Sequence, residues 1–120
     1  MDIQNKAKTL LEFIKFCKSV IGIQKLPKIQ FIKDNKWSQQ NKSFGQYNSE
    51  LCSIVIYIGD RHIVDCMRTL AHEMTHHKQN ELGLLKPDSG QTGSEIENQA
   101  NEIAGIIMRK FGELHQNIYE

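Results

Sequence analysis

The chain has 120 residues, 39% of them hydrophobic and 24% charged, with a formal net charge of +1. That is the composition of one ordinary compact domain, expected to span residues 1–120, and the chain shows neither repeats nor a low-complexity segment. No apolar run approaches the roughly 18–20 residues of a membrane-spanning helix, and the opening Met-Asp-Ile-Gln-Asn-Lys lacks the layout of a secretory signal, so a cytoplasmic setting without membrane contact is expected.

The first predicted element is a helix from Asp2 to about Ile21. Ala7, Leu10, Leu11, Ile14, Cys17 and Ile21 make one apolar stripe, and Gly22 suits its C-terminus. After Pro27, residues Lys28 to Lys33 alternate well enough for a strand through Ile29, Phe31 and Ile32. Ser43 to Tyr47 reads as a second strand, turned at Asn48-Ser49. Leu51 to Ile58, with Ile54, Val55, Ile56, Tyr57 and Ile58, is the strongest strand. Its nearly continuous apolar run argues for burial. It is also the candidate for an exposed sheet edge that takes an extended partner, and the two readings are compatible. A helix then covers residues 61–82 and closes at Leu82-Gly83, Pro87-Asp88-Ser89-Gly90 forms a loop, and a last helix runs from about Glu95 to Phe111. Helix, three strands and two helices make an α+β layer with the sheet against the second helix. Cys17, Cys52 and Cys66 are odd in number and scattered, which fits small buried hydrophobes rather than a disulfide framework.

The 61–82 helix carries His72-Glu73-Met74-Thr75-His76. Histidines four apart on a helix project from one face and can reach one metal ion together. Glu73 lies about 100° round the helix, placed to act on a water without ligating the metal. Ile63, Met67, Leu70 and Met74 share one face, while Asp65, Thr69, His72 and His76 fall nearly opposite. His77 points about 100° away from His76 and is not expected to be a ligand. His62 belongs at the surface.

A catalytic zinc site normally has three protein ligands and an open position. No histidine follows at the short spacing that would supply the third, so an acid further on is required. Ser94-Glu95-Ile96-Glu97 offers two. Ala100, Asn101, Ala104, Met108 and Phe111 all lie within about 60° of Glu97 round the helix, whereas Glu95 lies about 160° away with Glu102 and Arg109. Glu97 therefore sits on the inward face and Glu95 on the wet one. A carboxylate in an apolar stripe needs a cation, and zinc would be that cation. Ser94-x-x-Glu97 is equally a capping box, which gives Glu97 a purely structural reading. Asn101 is placed to hydrogen-bond a ligand histidine.

His72-Glu73-Met74-Thr75-His76 followed by Glu97-x-x-Ala100-Asn101 resembles the gluzincin metallopeptidases, in which a downstream "glutamate helix" gives the third zinc ligand. The E-x-x-A-N form and the short length resemble minigluzincins and small phage- or prophage-borne metallopeptidases, including the type that cleaves phage repressors. The specific match covers residues 69–108. The resemblance implies a minimal zincin-like fold: N-terminal helix, small three-stranded sheet, active-site helix and glutamate helix. It implies a zinc metalloendopeptidase with one zinc ion on His72, His76 and Glu97, Glu73 as general base, and a peptide or protein substrate. Asn101 matches a position where larger gluzincins often hold an Asp. Localisation would then be cytoplasmic, or virion-associated for a phage-encoded chain. Tyr47, Tyr57, His115 and Tyr119 are candidates for a donor to the developing oxyanion. The segment Gly112 to Glu120 is expected to begin where the last helix ends. It either folds back over the cleft or extends the helix along the outer surface.

Two other classes remain open. One is a non-catalytic zinc-containing component of a larger assembly such as a phage particle, although such a site has no use for Glu73. The other is a repressor- or nucleic-acid-associated module. Residues 1–42 hold nine Lys against Asp2, Glu12 and Asp34, a charge of +6, and residues 43–120 carry −5. The lysines follow helical surface positions without a nucleic-acid motif, so nucleic acid is not the expected partner.

Overall fold

A computed structural model describes residues 1–85 and 94–115. Their order is α1 (Ile3–Ile21), β1 (Lys28–Ile32), α2 (Asn35–Asn41), β2 (Gly45–Asn48), β3 (Ser53–Tyr57), α3 (Ile63–Glu81) and α4 (Glu95–Leu114). The class is α+β, as expected. The loop predicted at 87–90 lies outside the described residues, as does most of the tail beyond Leu114.

Helix α1 starts where the Asp2 side chain accepts from the Asn5 N–H at 2.8 Å, and stops at Gly22, whose φ of 79° suits glycine. Its buried face is rotated from the predicted stripe. Phe13 is fully buried with Leu10 and Cys17, while Leu11 is 56% exposed. The aromatic ring of Phe13 decides this: it meets Phe111 of α4 edge-on at 5.1 Å. Lys6 is also buried and donates to the Ile58 carbonyl at 3.1 Å, just beyond the end of β3.

The three strands run β1-β3-β2. β3 pairs parallel with β1 (Ile29 opposite Ile54) and antiparallel with β2 (Tyr47 opposite Ile54). The expectation that 51–58 is an exposed edge is therefore wrong. The strand is central and both its sides are paired, which is why its apolar run is so continuous. The edges belong to β1 and β2. Helix α2 was not predicted because Asn35–Asn41 buries nothing and has no apolar period; the Asp34 side chain caps it.

Helix α3 packs on β2 and β3 on one side and on α1 and α4 on the other. Ile63, Met67, Leu70 and Met74 are 4% exposed or less, the face that periodicity predicted. Cys17 and Cys66 are buried as expected, but Cys52 is exposed in the turn before β3. No helix among the described residues is long and apolar enough to cross a membrane.

Candidate metal centre

The α3 backbone begins at His62, whose Nδ1 accepts from the Val64 N–H, so this exposed histidine serves as a cap. Nearly three turns on and again at the fourth, the helix presents His72 and His76 to a cleft. Helix α4 begins at Ser94, whose hydroxyl accepts from the Glu97 N–H at 3.1 Å. The capping contact expected of Ser94 is thus present, yet it does not exhaust the role of Glu97. Ala100 and Ala104 are buried and let α4 approach α3 closely, which carries the Glu97 carboxylate to the histidines.

Glu97 Oε1 lies 2.7 Å from His72 Nε2, and Oε2 lies 3.1 Å from His76 Nε2. The two Nε2 atoms are 3.1 Å apart. These three side chains could hold one metal ion, with a ligand atom from each within 4.8 Å of the others. Ligands at tetrahedral zinc distances stand about 3.3 Å apart, so the observed spacing fits with little adjustment. Glu95, the alternative acid, is exposed on the outer side of α4.

The hydrogen-bond chemistry also fits a cation. Two ring nitrogens and both carboxylate oxygens converge on one point, a donor set that a single cation can satisfy at once. Burial first, then the neighbouring His76, hold His72 below its ordinary pKa; Glu97 and a hydrogen bond with Asn101 oppose this without overcoming it. Asn101 therefore meets His72, one of the two histidines expected to hold the metal. Glu73 is 6% exposed beside this group, and burial followed by the charge of Glu97 pushes its pKa up to about 8. A cation on Glu97 would cancel the second of these causes.

One partner escaped the sequence reading. His76 Nδ1 is 2.8 Å from Gln79 Oε1, and the Gln79 amide N–H₂ donates to Ile96 O at 3.0 Å and Gln99 Oε1 at 2.8 Å. Gln79 is only 2% exposed. Its signal was the i,i+3 spacing from His76 on a helix face.

His77 is turned away, as expected. It is 3% exposed, with Nδ1 2.8 Å from the Tyr47 hydroxyl and Nε2 2.7 Å from the Lys25 carbonyl. Asn80 donates to the same hydroxyl at 2.9 Å. Of the four suggested oxyanion donors, Tyr47 lines the cleft with its hydroxyl engaged in this way; Tyr57 and His115 do not line it. His115 instead stacks on Phe111, and Tyr119 lies outside the described residues.

The cleft runs from β2 across α3 to Glu97 and Asn101. Its β2 wall has a defined pattern of backbone groups. The Tyr57 N–H donates to the Phe44 carbonyl, so Phe44, Gln46 and Asn48 face β3, and Gly45 and Tyr47 turn their N–H and C=O outward. The Ser43 hydroxyl occupies both outward groups of Gly45, accepting from its N–H at 3.2 Å and donating to its carbonyl at 2.6 Å. Among the described residues, the outward pair of Tyr47 is left for another strand.

No protein-family model, curated protein or solved structure matches the chain.

Proposed function

We propose that the chain is a zinc-dependent peptidase of gluzincin type, with His72, His76 and Glu97 as metal ligands and Glu73 as general base. The observation that carries this reading is the approach of Glu97, from a separate helix, to both histidines, with the buried Glu73 beside them. A site serving only as a structural clamp would have no use for an acid placed there, nor for a face left open to a cleft.

When bound, zinc supplies a Lewis acid that polarises the scissile carbonyl and makes water acidic enough to lose a proton near neutrality. Glu73 takes that proton and returns it to the leaving amine. A carboxylate held near neutral pKa by burial suits both transfers, because it is neither too strong an acid nor too weak a base. Gln79 and Asn101 hold the ligand imidazoles. An extended substrate pairs with the outward N–H and C=O of Tyr47, on the edge strand β2 rather than β3. The Ser43 hydroxyl limits this pairing to a short stretch.

The test is metal analysis of purified protein followed by incubation with a broad peptide library. One zinc per chain and cleavage abolished by a chelator and restored by zinc are expected. A protein that takes up no zinc, or holds it and cleaves nothing in the library, contradicts the proposal.

A further inference from the structure

We infer that Gln79 is a positioning residue that fixes the metal-binding form of His76 and ties it to the helix bearing the third ligand. The inference rests on the metal reading of His72, His76 and Glu97.

The Ile96 carbonyl decides the orientation of the Gln79 amide. It can only accept, so the group 3.0 Å from it must be the amide nitrogen. The amide oxygen then faces His76 Nδ1 at 2.8 Å. That oxygen in turn can only accept, so Nδ1 carries the hydrogen and Nε2 is left with its lone pair. Nε2 is the atom that meets Glu97 and His72. Neutral imidazole in solution places its proton on either nitrogen, and only one of these forms can ligate through Nε2. The second amide hydrogen is also used, on Gln99 Oε1 at 2.8 Å. Both acceptors belong to the first turns of α4, the helix that delivers Glu97. One buried side chain therefore spans a ligand on α3 and the start of α4. Its oxygen sets the ligand's tautomer and its nitrogen sets the distance between the helices. Partners of this kind change metal affinity by about 10–100-fold when removed.

Three proteins test this: the parent, Gln79→Glu and Gln79→Leu. Zinc affinity is read by competition with a chromogenic chelator, and His76 protonation in the metal-free protein by ¹⁵N chemical shifts of the ring. The parent should carry its His76 hydrogen on Nδ1. Gln79→Leu should bind zinc about 10–100-fold more weakly and admit the Nε2–H form. Gln79→Glu keeps an acceptor for Nδ1–H but loses both amide donors, so it should retain the tautomer while binding zinc more weakly than the parent. A parent whose His76 carries its hydrogen on Nε2 alone overturns the inference even where the Leu variant fails to fold. So does a folded Leu variant with the parent's affinity, or a folded Glu variant whose His76 carries its hydrogen on Nε2 alone. A parent that takes up no zinc instead removes the metal reading, which separates that failure from the failure of Gln79's role.

Discussion

Replacing Glu97 with Ala separates a ligand from a helix cap, because the cap uses the Ser94 hydroxyl and the Glu97 backbone N–H, both of which survive. The carboxylate meets His72 at 2.7 Å and His76 at 3.1 Å, and the substitution removes both contacts. Structural zinc sites bind with about 10–16 kcal/mol over four ligands, or about 2.5–4 kcal/mol for each. Loss of Glu97 should then weaken zinc by about 10²–10³-fold. Glu95→Ala, on the exposed side of the same helix, is the control and should change zinc affinity little. With zinc above both dissociation constants, the same energy reads out as thermal stability. The zinc-induced rise in Tm should be smaller in Glu97→Ala by roughly 10 °C, given a few degrees per kcal/mol for a domain of this size. Chelator competition and melting curves with and without zinc measure both. Equal zinc retention in the Glu97 and Glu95 variants would remove Glu97 from the centre and leave it only its capping role.

Glu73→Gln should keep the fold and the zinc content and lower peptide hydrolysis by about 10²–10⁴-fold, since the role proposed for Glu73 is to move protons without ligating; a Gln variant cleaving at the parent's rate would refute this. A methyl group at Gly45 would stand 2.6 Å from Thr69 Cγ2 and 2.9 Å from Ile56 Cδ1, so Gly45→Ala should destabilise by about 1–3 kcal/mol in urea unfolding. Thr69→Ser, which removes that Thr69 methyl, should recover part of the loss, and a Gly45→Ala protein as stable as the parent would show that β2 does not need its close approach to α3. Partial burial pushes Glu81 up, but the N–H groups of Lys25 and Gln24, with His77 and Lys78, outweigh it and hold the carboxyl below its ordinary range. Its folded pKa being the lower one, its contribution is complete above the unfolded value and disappears as pH falls through the folded value, so Glu81→Gln should flatten the acid limb of the stability–pH curve; parallel curves would exclude it.

The site was more legible than the sheet. On a helix, angular position follows from residue number, so His72, His76, Glu97 and the outward Glu95 could each be assigned a side without knowledge of the partner helix. Strand order has no such local record. Leu51 to Ile58 looks the same as an edge or a centre until β1 and β2 are paired to it, and the edge was assigned to the wrong strand. Leu11 and Phe13 show the same limit within α1. Both are apolar, and the choice between them is made by Phe111, almost a hundred residues away. Gln79 went unrecognised because a glutamine on a helix ordinarily faces water; only the arrival of Ile96 and Gln99 buries it and assigns its amide.

Two of the proposed ligands and the base share one helix, so their mutual geometry comes with the α-helical repeat. The third ligand does not. Its place depends on how closely α4 can approach α3, and that approach is set by small side chains at Ala100 and Ala104 and by the amide of Gln79. The candidate metal group and the packing of these two helices are thus one arrangement. A cation held by Glu97 and both histidines would draw the helices together by the same contacts that form the site, and binding energy of this kind is also folding energy.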